Sequence, residues 1–526
     1  MKKEILQGFE GIKKLEKGVE KLTNAVKITL GPKGKNVILS RGLSTPLITN
    51  DGVTIAREIE LEDKFENMGA SIIKQASIET NEVAGDGTTT ACVIANSIVH
   101  DGVKNYTAGA NPIDLKNGIK IGLNKALEYI LHSSTQIKDN DIFNIASISA
   151  QDEEIGKLIA DAYAHVGRDG VITVEEGKSI KTELKLVEGM QFDRGYISPH
   201  MITDKEKMSA NLEDAYILIT DYKIKNINDI LPILEKVSEA RKPLLIICDD
   251  MDSEVVSTLV LNKLRGVLNV AVVRAPYFAD RRTATLQDIA TLTHAKYISI
   301  DTADDLSKTT INDLGQAKSI RVTKDSTIIT GGAGNKSDII KRAEIIKGQI
   351  SVAKSDFDKE MLKTRLAKLT GCIGVIYVGC ATDVELMERK LRIEDALSAT
   401  KSAVAEGIVA GGGVTLLRAS IGVEALASTL PDDQKTGCKI VANALRAPIL
   451  QICANCGADG SVVINNILAC DTPTYGYNAK TNEYCDMLQC GIIDPTLVTR
   501  SALINACSVA STLLTTDCLV ADTDNN

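Results

Sequence analysis

The sequence predicts a multidomain protein of mixed class, in which mainly helical segments at both ends flank an α/β segment in the middle. The chain has 526 residues, which is more than a single hydrophobic core usually organises. Both ends carry apolar residues at helical spacing, whereas the middle alternates strand-like and helix-like patterns. This arrangement suggests that the two ends form one domain into which the middle is inserted.

The first segment begins with an amphipathic helix over residues 11–29. Its apolar side chains recur three and four residues apart and so share one face: Ile12, Leu15, Val19, Leu22 and Val26. The turn Gly31-Pro32-Lys33-Gly34 cannot continue a helix. Short strands are then expected at 36–39 and 46–49, and helices at 64–84 and after Thr90.

The middle segment reads as β-α units packed on a sheet. Strands are predicted at 216–220, 244–248, 270–273 and 297–300, and they alternate with helices at 228–239, 253–265 and 284–293. Residues 338–369 then form long amphipathic helices. After Glu406 small apolar residues predict a second helical segment, apart from a turn-rich section at 471–496.

Composition narrows the classes of function. A net charge of −9 and an aromatic content of 3% without tryptophan argue against a general nucleic-acid binder or a binder of anionic membranes. The patterns show no apolar run of membrane-spanning length and no signal peptide, so a cytoplasmic location is expected. Most of the twelve cysteines lie in apolar contexts after residue 370 and are expected to be buried, reduced thiols. Cys453 and Cys456 have the C-x-x-C spacing of zinc ligands, but no second such pair and no nearby histidine would complete a zinc site.

The most informative stretch is Gly85-Asp86-Gly87-Thr88-Thr89-Thr90, which leads into an apolar helix. Glycines allow backbone N–H groups to approach phosphate, the helix start attracts anions, and Asp86 offers an oxygen ligand for Mg²⁺. An ordinary helix N-cap would use the same residue types. Both interpretations stay open at this point.

Three further segments have a similar character: Thr29–Gly34, Asn50–Thr54 and Gly411–Gly413. Each alone is most simply a turn. Together they supply backbone donors, a carboxylate, hydroxyls and a cation, which are the groups that transfer of a phosphoryl group to water requires. Asp395, by contrast, reads from the pattern alone as a solvated helix residue.

These segments, in this order, resemble the group I chaperonins, the GroEL-type family. The similarity extends from the first helix to about Asp522. The matching stretches are Thr29–Gly34, Asp51–Glu60, Leu61–Ala70, Ala84–Thr90, Val187–Tyr196, Asp288–Thr293, Arg392–Leu397, Glu406–Val414, Tyr475–Ala479 and Asp494–Leu503.

The resemblance implies the chaperonin fold. A mainly helical equatorial domain would comprise residues 1–132 and 406–526, and a small intermediate domain residues 133–187 and 374–405. The inserted α/β apical domain would comprise residues 188–373. The resemblance also implies an ATPase with Mg²⁺ and K⁺, two stacked seven-membered rings, a small co-chaperonin lid, and non-native polypeptides as substrates.

Site residues follow from the matched motifs. ATP contacts are implied for Thr29, Leu30, Gly31, Pro32, Asp86, Gly87, Thr88, Thr89, Thr90, Gly412, Asn478, Ala479 and Asp494. Asp86 would hold Mg²⁺, and Asp395 would orient the attacking water with help from Asp51. An exposed apolar surface for clients and the co-chaperonin is implied for Tyr196, His200, Met201, Leu231, Leu234, Val256, Val260 and Leu261.

The chain departs from the family pattern in several places. His200 and Met201 replace two aromatic residues, Cys372 replaces a hinge glycine, and Tyr277-Phe278-Ala279 replaces Gly-Phe-Gly. The Gly-Met tail is missing. These departures leave a second hypothesis open, in which the chain is a divergent paralogue that holds or binds proteins with altered client or lid specificity.

Overall fold

The structure is a computed structural model that describes residues 3–41, 44–168, 170–177, 179–204, 207–353 and 355–522. It divides into two compact units. The terminal unit comprises Met1–Asp161, Val174–Glu183 and Tyr377–Asn526, and the middle unit comprises Ala162–Thr173 and Leu184–Ile376. Mixed helix and sheet is compatible with the predicted fold class, while the division into five segments that form three domains stays a prediction.

Helices form most of the terminal unit and also occur in the middle unit. In chain order, the α-helices of the described residues are α1 Gly8–Val26, α2 Gly52–Glu58, α3 Lys64–Ala84, α4 Thr88–Thr107, α5 Pro112–Ser133, α6 Asp139–Ala150, α7 Glu153–Val166, α8 Leu231–Ala240, α9 Ser253–Leu264, α10 Ala279–Thr293, α11 Lys336–Val352, α12 Asp356–Thr370, α13 Asp383–Glu406, α14 Val414–Ala427, α15 Asp432–Ala444, α16 Ala447–Cys456, α17 Gly460–Leu468 and α18 Thr496–Leu514.

Strands are concentrated in the middle of the chain. In the described residues they are β1 Lys3–Gln7, β2 Val37–Arg41, β3 Ser44–Thr49, β4 Ile172–Glu176, β5 Glu183–Phe192, β6 Ala210–Thr220, β7 Lys223–Ile224, β8 Leu244–Cys248, β9 Asp250–Met251, β10 Val270–Arg274, β11 Tyr297–Ile298, β12 Gly315–Val322, β13 Thr327–Gly332, β14 Cys372–Val378, β15 Ile408–Ala410, β16 Tyr475–Asn478, β17 Glu483–Asp486, β18 Ile493–Pro495 and β19 Cys518–Asp522.

The terminal unit is held together by helices that cross with their backbones in contact. A Cβ atom on Gly18 of α1 would lie 1.8 Å from the carbonyl oxygen of Glu66 in α3, and one on Gly69 of α3 would lie 2.1 Å from that of Leu15. Only glycine permits this approach, because any Cβ would occupy the space of the facing carbonyl. Helices α5 and α15 meet in the same reciprocal way, at Gly118 and Gly437.

A buried carboxylate reinforces the crossing of α1 and α3. Glu66 is 2% exposed, and its oxygens lie 3.0 Å from Lys17 Nζ and 2.5 Å from Lys21 Nζ. The hydrogen bond from Lys21 is the main reason that the pKa of Glu66 is lowered. At the rim of the unit, β1 pairs antiparallel with β19, so the two ends of the described chain are joined.

The middle unit is built on a mixed sheet with the strand order β10-β8-β6-β12-β13-β5. Strands β10, β8 and β6 are parallel, and β12, β13 and β5 continue the sheet in antiparallel pairs. All five residues of β8 are buried, as expected of a parallel strand with both faces covered. The predicted strand at 297–300 is shorter than expected and forms only the edge strand β11, parallel to β6.

The turn before α10 adopts a backbone conformation that suits glycine. Tyr277 has a φ of 63° and Ala279 a φ of 49°, which is the left-handed region that residues with a Cβ rarely adopt. These are the two positions where the resembling family has glycine. The chain therefore keeps the turn and carries its backbone strain.

One helix among the described residues, α18, is long and apolar enough to cross a membrane by length and composition alone. The sequence patterns did not predict this, because small and hydroxyl side chains interrupt its apolar residues. In the structure 61% of the most apolar stretch of this helix is buried, which is typical of the core helix of a globular protein.

The glycine crossing predicts opposite outcomes for two substitutions in α1. Gly18→Ala forces the backbones of α1 and α3 apart and is expected to lower the free energy of unfolding by about 3 kcal/mol. Gly11→Ala is the matched control, because a Cβ there would lie at an ordinary 3.4 Å from Leu519. It should leave stability unchanged or raise it by up to about 1 kcal/mol. Urea denaturation of both variants tests this, and equal effects would contradict it.

Strain in the turn before α10 predicts that Ala279→Gly stabilises the middle unit. Ala279 is exposed, so the substitution loses little packing and relieves its positive φ. We expect an increase of about 1 kcal/mol in the free energy of unfolding. Ala284→Gly, in the same helix at ordinary torsion angles, should instead destabilise by about 1 kcal/mol. Thermal unfolding compares the two, and a loss of stability in Ala279→Gly would refute the strain.

Candidate functional site

The glycine-rich loop of the terminal unit connects α3 to α4. Gly85 ends α3 with a φ of 68°, and Gly87 is the N-cap of α4 with a φ of 80°. No side chain caps α4, so the interpretation of this stretch as an ordinary side-chain N-cap is wrong. The first-turn N–H groups of a 20-residue helix are therefore available to an anion, which the helix dipole also attracts.

Asp86 lies in this loop between the two glycines. Its carboxylate accepts a hydrogen bond from the N–H of Gly87 and one from Ser149 Oγ at 3.1 Å. Burial raises the pKa of Asp86, and the nearby charge of Asp51 raises it further, although both hydrogen bonds oppose the shift. A carboxylate destabilised in this way gains from a bound cation.

Asp494 is a second carboxylate with the same property. It lies in β18, which pairs antiparallel with β15, and its Oδ1 would lie 3.0 Å from a Cβ on Gly411. Burial raises the pKa of Asp494 to about 6, and the charge of Asp86 contributes. The structure thus brings together two acidic residues that are more than 400 positions apart in the sequence.

Thr29, Thr88 and Thr89 converge on the Asp51-Gly52 turn. Thr29 Oγ1 lies 3.2 Å from Thr89 Oγ1. A Cβ on Gly52 would lie 2.5 Å from Thr89 Oγ1 and 2.7 Å from Thr88 Oγ1. Two of the separate motifs noted in the sequence are therefore in direct contact with the glycine-rich loop.

Asp51 is itself the N-cap of α2. Its carboxylate accepts hydrogen bonds from Val53 N at 3.1 Å, Thr54 N at 3.0 Å and Thr54 Oγ1 at 2.6 Å. This capping fixes the orientation of the carboxylate beside the loop.

The turn at Leu30–Pro32 is held by a residue that sequence reasoning missed. Asn455 Nδ2 donates to the carbonyl oxygens of Lys27 at 2.9 Å and Leu30 at 2.8 Å. Gly31 has a φ of 88°. Asn455 lies between Cys453 and Cys456, in the C-x-x-C pattern considered for zinc. Nothing in the sequence indicated that its side-chain amide contacts a turn 425 residues earlier.

Gly412 lies against Met487, in the segment that also contains the predicted ATP contacts Asn478 and Ala479. A Cβ on Gly412 would lie 2.9 Å from Met487 Cε, and one on Gly476 would lie 2.6 Å from Met487 Cγ. Asn478, at the end of β16, uses its side-chain oxygen to accept from Lys480 N at 3.0 Å. Ala479 beside it is buried at 4% exposure.

Helix α13, which carries Asp395, packs against the end of α3. Ser402 Oγ donates to the carbonyl oxygen of Ala84 at 2.8 Å, and a Cβ on Gly85 would lie 2.2 Å from Ser398 Cβ. Asp395 precedes Ser398 by three residues and Ser402 by seven, so all three share one helix face. The half-buried Asp395 is therefore on the face directed at the glycine-rich loop, and the two serines were not predicted.

The predicted client surface is only partly exposed in the middle unit. Leu231 and Leu261 are 40% and 47% exposed, whereas Met201 and Leu234 are 0% and 7% exposed. His200 is exposed, and Tyr196, Val256 and Val260 are half-buried. The expectation that Met201 and Leu234 present apolar surface is corrected, because both pack into the core beside β6 and β8.

The described residues contain no group of three or more His, Cys, Asp or Glu side chains that could hold a metal ion. One or two carboxylates still fit Mg²⁺, which usually keeps several waters and takes further ligands from substrate phosphates. The raised pKa values of Asp86 and Asp494 fit the same ion. The chemistry of this donor set therefore fits a metal-bound polyphosphate.

Comparison with known families supports the resemblance found in the sequence. The model of the TCP-1/cpn60 chaperonin family matches residues 22–524. The match includes every predicted site residue, from Thr29 to Asp494. It confirms the resemblance at the level of this family.

The raised pKa of Asp494 predicts a dependence of stability on pH. Because the folded pKa of about 6 exceeds the ordinary value of 3.8, the charged form destabilises the fold progressively from about pH 4 to pH 6. Asp494→Asn should match the wild type near pH 4 and exceed it by about 2 kcal/mol at pH 7.5. The exposed Asp471→Asn should show no such gain. Urea unfolding at both pH values without Mg²⁺ tests this, and a gain independent of pH would contradict it.

Proposed function

Because the chain belongs to the TCP-1/cpn60 chaperonin family, we propose that it is a molecular chaperone that uses ATP hydrolysis to promote the folding of non-native polypeptides. The family itself indicates a role in protein folding. The observation that carries the ATP-driven part is the uncapped start of α4 beside two carboxylates with raised pKa values. Such an arrangement attracts both a phosphate chain and a cation.

Each part of the site has a proposed task. The N–H groups of Thr88, Thr89 and Thr90 would donate to phosphate oxygens, and Asp86 would hold Mg²⁺. Bound Mg²⁺ would neutralise charge that develops on the phosphates. The turn at Thr29–Pro32, pinned by Asn455, and the segment at Gly412, Asn478 and Ala479 would enclose the rest of the nucleotide. K⁺ is proposed as an accessory ion.

Asp395 is the proposed group that orients the attacking water. Helix α13 is attached to the loop through Ser398 and Ser402, which face Gly85 and Ala84. A carboxylate on a helix separate from the phosphate-binding loop can be moved toward or away from that loop. Hydrolysis would then depend on the conformation of the protein, so the site would act as a timer for folding.

Clients and partners complete the proposal. Leu231 and Leu261 supply exposed apolar side chains, with the half-buried Val256 and Val260 on the same helix as Leu261. Exposed apolar groups of this kind suit unfolded segments. We propose seven-membered rings, stacked in two layers, and a small co-chaperonin lid that competes for the same surface.

A second candidate function is a divergent paralogue that holds proteins without folding them. The burial of Met201 and Leu234 favours this candidate, because it reduces the apolar surface available to clients. The two candidates differ in one assay. A folding chaperonin restores the activity of a chemically denatured enzyme when ATP and a co-chaperonin are added, whereas a holding protein only suppresses its aggregation.

The role of Asp395 predicts a separation of binding from turnover. Asp395→Asn should lower the rate of Mg²⁺-dependent ATP hydrolysis at least 20-fold, since one positioned base contributes about 100-fold or more. Affinity for ATP, measured by calorimetry, should change less than threefold. Asp383→Asn, an exposed acid in the first turn of the same helix, is the matched control and should retain full turnover.

Three outcomes would count against these assignments. Full turnover in Asp395→Asn would remove Asp395 from the mechanism. A wild-type chain without slow ATPase activity would refute the ATP-driven function. A monomer in native mass spectrometry, with and without ATP, would refute the ring.

A further inference from the structure

The chain carries a pair of thiols in a tight turn at the edge of the candidate nucleotide site. Cys485 is half-buried in β17 and Cys490 is exposed five residues later. The turn between them is closed by hydrogen bonds from Cys490 N to the Asp486 carbonyl oxygen at 2.9 Å and from Gln489 N to Asp486 Oδ1 at 3.0 Å. This closure places Cys490 beside the end of β17, next to Cys485, so that the two side chains are close enough to influence each other electrostatically.

The same turn positions Met487. Met487 is fully buried, and both of its backbone groups are hydrogen-bonded. Its N–H donates to Thr474 O at 2.9 Å, and its carbonyl oxygen accepts from Ile492 N at 2.8 Å. Its Cε lies 2.9 Å from the position of a Cβ on Gly412. The thiol pair is thus linked through one side chain to a glycine of the candidate site.

We propose that Cys485 and Cys490 form a reversible disulfide, and that this modification site takes a small-molecule disulfide such as oxidised glutathione as its co-reactant. Both cysteines are free thiols. Cys485 packs against the apolar cluster that contains Met487 and Cys453, whereas Cys490 is exposed to solvent. The part of the proposal that concerns nucleotide affinity rests on the proposed function, whereas the disulfide itself does not.

The chemistry takes place in two exchanges. The thiolate of exposed Cys490 attacks one sulfur of oxidised glutathione, whose S–S bond breaks and releases one glutathione thiolate. Cys485 then loses its proton to solvent and attacks Sγ of Cys490, which releases the second glutathione. Two protein thiols are oxidised and one glutathione disulfide is reduced to two thiols. Burial and the neighbouring Cys490 raise the pKa of Cys485 to about 12, so Cys490 is the first to attack.

The disulfide has a structural consequence. It locks the turn that holds Met487 against Gly412, so this part of the site can no longer adjust around a ligand. We expect the affinity for ATP to fall at least threefold on oxidation and to recover on reduction.

One peptide tests the chemistry. Cleavage after Lys480 and Arg500 releases residues 481–500, which contain Cys485 and Cys490 as their only cysteines. After the full chain is treated with oxidised glutathione and free thiols are alkylated, we expect this peptide to be two hydrogens lighter and to carry no alkyl group. Cys490→Ser should abolish the change, and Cys518→Ser, which removes another exposed thiol, should not. A peptide that remains doubly alkylated, or carries only glutathione on Cys490, overturns the proposal.

Binding of a fluorescent ATP analogue tests the consequence. Oxidised wild type should bind at least threefold more weakly than reduced wild type, and Cys490→Ser should be insensitive to oxidant. If the disulfide forms and affinity does not change, the coupling through Met487 is refuted. A chain that binds no nucleotide in either state refutes the proposed function, while the peptide mass still decides the disulfide.

Discussion

The terminal unit depends on the contact between the backbones of α1 and α3. Gly18 and Gly69 allow each helix to rest on a carbonyl of the other, and Glu66 ties three lysines of α1 to the same place. This close contact fixes the direction in which α3 leaves the crossing. The C-terminal end of α3 is the glycine-rich loop, so the rigidity of the crossing determines where the loop meets α13 and α18.

At the glycine-rich loop, this rigid framework keeps buried carboxylates close together although they repel one another. In addition to the larger effect of burial, the charge of Asp51 raises the pKa of Asp86, and the charge of Asp86 raises the pKa of Asp494. These raised pKa values cost folding free energy as long as no cation is bound. A fold that supports this repulsion also gains more when a cation arrives, because the ion removes a penalty that is already present. Affinity for the ion and instability without it therefore have one physical source.

Sequence patterns predicted local secondary structure more accurately than they predicted contacts between residues that are distant in the chain. The strand at 244–248 was placed with its observed ends and the first helix within a few residues, because apolar periodicity is a local property. Ser402 could not be found in this way, since its role is a bond to a carbonyl 318 residues away. The family resemblance implied an exposed Leu234, and helical spacing could not correct this because it defines a face but does not show what covers it. The family resemblance supplied Asp395, which periodicity alone would have dismissed.

Steric constraints also explain where this chain can depart from the family pattern. A Cβ on Gly85 would lie 2.2 Å from Ser398 Cβ, and one on Gly87 would lie 2.6 Å from Val498 Cγ1, so substitution at either position would displace a neighbouring helix. The turn at Tyr277 and Ala279 needs similar torsion angles, yet Ala279 is exposed and its Cβ costs only backbone strain. The chain has residues other than glycine where the cost of a Cβ is local, and it has glycine where that cost would reach the glycine-rich loop. Divergence in the middle unit is therefore compatible with an unchanged geometry of the glycine-rich loop in the terminal unit.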